Sequence, residues 1–274
     1  MHRWLLRAPL LGAVLLGAIA VAGCGGSGKS GGGAPTVVSG EAISAAAAKS
    51  SRAGSVEADF KISGAGVNGQ GSGVFNTGAS RSGQLTMKVH IRGVDVPIDS
   101  IVTGNVLYMR SSLFSQLRLS GGKQWVKVDL EALARQQGID LSSLVNANPT
   151  PTSALAYLRG AGHVEKVGSD KVQGVSTTHY KVTLDLERAA AESSGSTRKS
   201  LRRVIDLGGV KKLPADVWID GDGYLRRIEY AQPAGNGRAV RLTMELHDFG
   251  KPVTVKPPPA DSVADLMQAL GSGQ

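Results

Sequence analysis

The feature that most constrains this chain is an alternation of apolar and polar residues that recurs between residues 56 and 247. In Val56–Ile62 the apolar side chains alternate with Glu57, Asp59 and Lys61. Successive side chains of a strand point to opposite faces, so this period is typical of a strand with one dry and one wet face. The alternation returns at 71–76, 85–91, 94–99, 105–110, 124–129, 163–168, 180–186, 215–220, 224–231 and 240–246. About eleven such strands predict an antiparallel sheet large enough to curl.

Turn-forming residues and short helical patterns separate the strands. The predicted turns are Asn68-Gly69, Gly104-Asn105, Asp220–Gly223 and Asn236-Gly237. Helices are predicted at 41–51, 129–137, 150–159 and 197–207, and Asp129 and Thr152 are the expected N-caps. We therefore expect an α+β fold: a curved antiparallel half-barrel whose concave face is covered by short helices.

The apolar residue set of each long strand must face the covered side of such a sheet. The predicted inward-facing residues, which are also the candidates for lining a ligand cavity, are Phe60, Ile62, Leu85, Met87, Val89, Ile98, Val182, Leu184, Leu242 and Met244. The alternative is that they form an ordinary core against Leu133, Leu155 and Leu158. Patterning alone leaves both interpretations open.

The N-terminus has the layout of an export signal. A short positive region with Arg3 and Arg7 is followed by an uncharged stretch that ends in Val21-Ala22-Gly23-Cys24. This stretch is shorter than the roughly 20 residues that a spanning helix needs. Cys24 is the single cysteine of the chain, so it is free for acylation, and two or more acyl chains such as palmitate anchor a protein stably. We expect a signal peptide at 1–23, a lipidated Gly/Ser-rich tether at 24–39 and one domain at 40–274, held at the extracytoplasmic face of the cell membrane. A plain secretory leader with an incidental cysteine is the alternative.

Formal charge and composition narrow the choice of partners. The net charge is +9, and loss of Arg3 and Arg7 with the leader lowers it to +7. This charge suits an anionic headgroup or a membrane surface. Nucleic-acid binding would need basic clusters with stacking aromatics, whereas aromatics make up 4% of the chain. The basic run 198–203 has helical spacing and is interpreted as a solvated helix face.

Several short motifs resemble catalytic or cofactor sites but lack the required context. Residues 23–30 match a P-loop and 28–32 a nucleophile elbow, yet no strand leads in and no helix leads out. Residues 64–69 match G-x-G-x-x-G but are predicted to join two strands, and no partner motif accompanies the two S-x-x-K matches. The five histidines lack metal-ligand spacing, and the Asp220–Gly223 turn is shorter than an EF-hand loop. No catalytic residue, cofactor or metal site is predicted, and the chain is not expected to be an enzyme.

Three segments, together with Cys24, carry a resemblance to a known family. They are 174–185 (Gly-Val-Ser-Thr-Thr-His-Tyr-Lys-Val-Thr-Leu-Asp), the hairpin 213–227 and the closing 248–253 (Asp-Phe-Gly-Lys-Pro-Val). With these the chain resembles the LppX/LprG family of actinobacterial lipoproteins, related in fold to LolA, LolB and RseB. The resemblance covers the second half well and the first half only by strand pattern. An insertion at Ser193–Lys199 and a long C-terminal tail depart from the family.

The resemblance implies a half-barrel of antiparallel strands with helices on its concave side, where several members hold acylated lipids. The expected function is therefore a membrane-anchored lipoprotein that binds or carries a lipid, a glycolipid or another apolar molecule between sheet and helices. The alternative is a non-enzymatic envelope sensor or scaffold with a closed core. The identity of the ligand and the oligomeric state do not follow from the resemblance.

Overall fold

The computed structural model describes residues 40–78, 82–91, 93–116, 120–137, 151, 155, 157–193, 195–233 and 238–271. All of them fall in one compact unit, Pro35–Gln274. The described strands are β1 Ser55–Gly64, β2 Val67–Asn76, β3 Ser82–Ile91, β4 Val94–Thr103, β5 Val106–Ser111, β6 Trp125–Asp129, β7 Ala161–Val172, β8 Val175–Asp185, β9 Lys212–Asp220, β10 Leu225–Pro233, β11 Ala239–His247 and β12 Val263–Asp265. The helices are α1 Gly40–Ser51, α2 Ser112–Gln116, α3 Leu130–Gln137, α4 Leu186–Glu192, α5 Gly195–Gly208 and α6 Leu266–Gly271, with 3₁₀ turns at Leu158–Gly160 and Ala260–Ser262.

The strands form a single open sheet of two meanders. Its order is β12-β6-β5-β4-β3-β2-β1-β11-β10-β9-β8-β7, and β11 closes the second meander against β1. Every pairing is antiparallel except that of β12 with β6. The predicted curved α+β half-barrel is confirmed, with twelve described strands where the sequence indicated about eleven.

The helices pack on the inner face of the sheet, which carries the buried apolar side chains. In the main core, Ile43 and Ala47 of α1 and Leu155 and Leu158 pack against strands β1 and β7–β11. A second core joins Leu107 and Val128 to the start of α3, Leu130. A small third cluster joins α4 to α5. None of the described helices is both long enough and apolar enough to cross a membrane.

Three of the predicted boundaries are correct in detail. Asp129 caps α3, because its Oδ1 accepts hydrogen bonds from the amides of Glu131 and Ala132 at 2.9 and 3.0 Å. Gly104-Asn105 forms the two-residue turn between β4 and β5. The Asp220–Gly223 segment lies in the hairpin turn between β9 and β10, and the carboxylate of Asp220 accepts from the amide of Tyr224 at 2.8 Å. Asn236-Gly237 and Thr152 lie outside the described residues.

Two predicted boundaries are wrong. Asn68-Gly69 is no turn but lies within β2, opposite His90 and Val89 of β3. The β1–β2 turn falls at Ala65-Gly66 instead, where both residues have positive φ, 52° and 83°. Leu186 does not extend β8. It begins α4, because the side chain of Asp185 accepts from the amide of Arg188 and caps the helix.

Candidate functional site: the inner face of the sheet

The structure places all ten candidate residues on the inner face of the sheet. Phe60 lies opposite Met244 of β11 and Gly71 of β2, and the row continues through Met87 to Ile98 of β4. Ile62 lies opposite Leu242, and Val182 and Leu184 face the same side through Ala215 and Leu213 of β9. Leu85 and Val89 flank Met87 on β3.

These ten residues have different surroundings. Phe60, Val182, Leu184 and Met244 are at most 3% exposed and belong to the main core, where Leu85 and Leu242 pack against them while half-buried. Among the described residues, the remaining four belong to none of the three apolar clusters: Ile62, Met87, Val89 and Ile98. Of these four, Met87 and Val89 are buried, and Ile62 and Ile98 are half-buried. The predicted set therefore divides into a part within the main core and a part beside it.

The second part surrounds a strip of glycines on β2. Gly69 and Gly71 face inward between Ile62 and Phe60 on one side and Val89 and Met87 on the other. We call the surface formed by Ile62, Gly69, Gly71, Met87, Val89, Val96 and Ile98 the glycine trough. β2 contributes no side chain there, and the side chain of Met87 lies over Gly71. The trough lies beside Phe60 and Leu85 of the main core, toward the β3–β4 turn.

Gly71 leaves less room for a side chain than Gly69 does. A Cβ at position 71 would lie 2.6 Å from Met87 Cγ and closer still to the carbonyl oxygen of Thr86, whereas at position 69 the nearest atom would be 3.3 Å away. We expect Gly71→Ala to destabilise the domain by about 1–3 kcal/mol through overpacking, and Gly69→Ala to change stability by less than about 1 kcal/mol. Urea unfolding of the two variants measures the difference. Equal stability of the two would contradict the close approach of Thr86 and Met87 to Gly71.

Two phenol rings lie on the inner face within the candidate set, where Tyr230 stands in the row between Val182 and Leu242. Tyr157 and Tyr230 meet edge-to-face with their ring centroids 6.2 Å apart, and Tyr230 lies opposite Leu242. Burial raises the pKa of both hydroxyls, and for Tyr230 the neighbouring Tyr157 adds to the effect. Both phenols are therefore neutral at physiological pH and offer uncharged hydrogen-bonding groups in apolar surroundings.

The outer face of the sheet carries one continuous polar row that the sequence did not reveal. Paired residues cross nine strands from β8 to β5 in the order His179, Trp218, Arg227, Glu245, Asp59, Ser72, Thr86, Asp99 and Arg110. The sequence pattern assigns some of these residues to a wet strand face and leaves the others unassigned. Only the register between strands distant in sequence places them in one line.

Trp218 is at the centre of the best-ordered part of this row. The ring of His179 stacks on it with centroids 4.2 Å apart, and the guanidinium of Arg227 lies 5.0 Å from its centroid on the next strand. His179 Nε2 lies 2.7 Å from Asp216, and Arg227 pairs with Glu245 at 2.7 Å. Such charge-assisted contacts keep Trp218 only 6% exposed although it lies on the outer face.

The tip of the β7–β8 hairpin folds over this row. Gln173 and Gly174 form its turn with φ of 48° and 81°, and Gln173 Nε2 donates to Asp59 at 2.9 Å and to Glu245 at 3.1 Å. Trp218 Nε1 donates to Asp170 at 3.0 Å, and this bond, after that from the backbone amide of Lys171, lowers the pKa of Asp170. A polar cleft of about 320 Å³ lies nearby on the same face, between β11, β1 and β2, and includes Lys61 and Gln70.

One described trio on the outer face has metal-ligand chemistry. Glu57, His247 and Asp248 offer ligand atoms within 4.8 Å of one another. The ammonium of Lys251 already lies 2.7 Å from Asp248, and its hydrogen bond is the main cause of the lowered pKa of that carboxyl. A cation therefore already neutralises this carboxylate.

An open, mostly antiparallel sheet with short helices on one face defines the class: proteins with the LolA-like fold. Among solved structures the chain is similar to LprF from Mycobacterium bovis, with a TM-score of 0.52 and 14% identity over 81% of this chain and 97% of that one. It is also similar to the lipoprotein LppX from Mycobacterium tuberculosis, with a TM-score of 0.46 and 18% identity over 79% and 99% of the two chains.

Sequence comparison gives relatives in Streptomyces. The chain is 28% identical over 159 residues to an uncharacterized protein encoded in the rplA–rplJ intergenic region of Streptomyces griseus, and 27% identical over 158 residues to a protein of Streptomyces coelicolor named "Putative lipoprotein". Each match covers 56% of this chain and about half of the relative, 52% and 46%. No protein-family model matches the chain. The likeness to LprF supports the half-barrel fold that the sequence resemblance implied.

Proposed function

We propose that this protein is a membrane-anchored lipoprotein that binds the acyl part of a lipid, a glycolipid or another apolar molecule over the glycine trough. The observation that carries the proposal is the trough itself: an apolar strip floored by Gly69 and Gly71, beside a main core that is already packed. Acyl chains need an apolar surface of roughly suitable shape and no fixed catalytic group. The role is therefore that of a non-enzymatic carrier.

The proposal assigns different roles to the candidate residues. Met87, Val89, Ile98 and Ile62 contact the ligand, because they lie in the trough. Six residues support the sheet as core and do not contact the ligand: Phe60, Leu85, Val182, Leu184, Leu242 and Met244. The neutral pair Tyr157 and Tyr230 provides hydrogen bonds at the edge of the apolar surface.

The proposal includes the domain organisation and location. Residues 1–23 are removed as a leader, 24–39 tether the protein to the membrane through acylated Cys24, and 40–274 form the binding domain outside the cytoplasm. The match to a Streptomyces protein named as a lipoprotein supports this arrangement.

A substitution that fills the trough tests the binding surface. We expect Ile98→Trp to weaken the binding of a fluorescent fatty acyl probe about tenfold, because the indole displaces roughly two methylenes at about 0.8 kcal/mol each. Ile98 is half-buried and lies outside the apolar clusters of the described residues, so the melting temperature should change little. Probe titration and thermal unfolding of the mature chain measure the two effects.

The matched control is Lys88→Trp, one strand away on the outer face. Lys88 is 63% exposed and pairs with Asp95, and loss of such a surface pair costs little. The parent should bind the probe, and lipids extracted from it should be identifiable by mass spectrometry. A parent that carries no lipid and takes up no probe, with Ile98→Trp strongly destabilised, would replace the carrier by the alternative of a closed sensor or scaffold.

A further inference from the structure

The helical hairpin α4–α5 and the chain that follows it carry much of the positive charge. Between Leu186 and Lys212 there are seven basic and three acidic residues, a surplus of four in a chain whose net charge is +9. The exposed basic side chains of this segment include Arg198, Lys199, Arg202, Lys211 and Lys212, which we call the basic patch. Lys211 pairs with Glu187 at 2.9 Å, and both side chains remain more than half exposed.

The apolar contacts of the hairpin show which of its sides is exposed. Ala189 and Ala190 of α4 pack with Leu201 of α5 and are at most 2% exposed. Arg198 Nε donates to the carbonyl oxygen of Ser193 at 2.8 Å and holds the junction between the two helices. The hairpin is thus a packed unit with its charged side chains outside.

The N-terminal end of the described residues lies beside this hairpin. Gly40, the first described residue, touches the carbonyl of Ala161, and the adjacent Gly160 is in contact with Asp185 and with Ala189 of α4. The pKa of Arg188 on α4 is raised mainly by Glu192 but also by Glu41, so the first turn of α1 lies near α4. The other end of α1 lies far away, where Lys49 binds the carbonyl of Asp222.

We infer that the basic patch is a docking surface for an anionic lipid bilayer, which orients the tethered domain with α4–α5 toward the membrane. The inference rests on the proposed attachment at Cys24 for its geometry: residues 24–39 span at most about 53–58 Å even when extended, so the end of the domain at Gly40 stays near the bilayer. Basic residues are attracted to anionic headgroups within about a Debye length of the surface. Tethering raises the effective concentration of this weak contact.

Vesicle co-sedimentation of the mature chain, residues 24–274, with Cys24→Ser tests the surface without any acyl anchor. We expect the chain to bind vesicles of mixed phosphatidylglycerol and phosphatidylcholine, to bind phosphatidylcholine alone much less, and to lose binding as salt is raised. Reversal of two charges, Arg202→Glu with Lys212→Glu, should weaken binding to the anionic vesicles by more than about tenfold.

The matched control reverses two exposed lysines elsewhere, Lys61→Glu with Lys256→Glu, at the same cost in net charge. It should retain most of the binding. An equal loss in both double variants, or binding of the parent that does not depend on phosphatidylglycerol or on salt, would overturn the assignment. Absence of salt and headgroup dependence in the parent overturns the assignment even if a variant fails to fold. Failure of acylation or of probe uptake leaves this result unchanged, so the two proposals fail separately.

Discussion

Cys24→Ala is expected to move the protein from the membrane fraction to the soluble extracytoplasmic fraction. The proposed acyl chains are its anchor, and no described helix could replace them. Two acyl chains hold a protein stably, whereas the electrostatic contact of the basic patch alone is reversible and sensitive to salt. The variant should be expressed behind a secretory leader that is cleaved before residue 24, so that an uncleaved leader does not act as an anchor. Fractionation followed by a high-salt wash measures the effect.

A substitution in the tether that leaves the cysteine in place is the control. Ser27→Ala in the native precursor should remain in the membrane pellet, and the mature parent should have a mass that exceeds that of its polypeptide by the acyl groups. Retention of Cys24→Ala in the washed pellet, or an unmodified mass of the parent, would contradict lipidation at this residue.

Asp220→Ala is expected to destabilise the domain by about 3–5 kcal/mol, because it removes one partner of a buried ion pair. The side chain of Asp220 is 3% exposed, and its Oδ2 lies 2.6 Å from Nε of Arg226 while its Oδ1 accepts from the amide of Tyr224. The guanidinium of Arg226 also lies over Phe249, whose ring stacks on Tyr224. Loss of the carboxylate therefore leaves a largely buried cation and the β9–β10 turn without their acceptor. Denaturant unfolding measures the loss.

The same turn provides the control for this prediction. Asp222 is exposed, and the contact of Lys49 is to its backbone carbonyl, so Asp222→Ala should change stability by less than about 0.5 kcal/mol. Asp220→Asn keeps an acceptor for the Tyr224 amide and should fall between the two. A loss below about 1 kcal/mol for Asp220→Ala would show that solvent reaches Arg226 and satisfies it.

The strands were predictable because their signal is local. Alternation in β1, β3, β4, β8 and β11 assigned every candidate residue to the face that it occupies. Helix α4 was missed, because Leu186 continues the apolar period of β8 and only the cap of Asp185 on Arg188 distinguishes a helix start from one more strand residue. β12 has three residues, too few for a period, and pairs with β6 far away in sequence.

The sequence by itself determined which side chains share a face, since alternation along an extended backbone is fixed by covalent geometry. The sequence also contains the leader pattern and the single cysteine from which lipidation is expected. Only the tertiary structure decided which inward residues fill the core and which surround the glycine trough, because that depends on which strands and helices are neighbours. Phe60 and Met87 have the same local pattern, yet Phe60 packs in the main core while Met87 lies over Gly71 outside it. The polar row on the outer face through Trp218 also depends on the tertiary structure. Its members are far apart along the chain, and only cross-strand register brings them together.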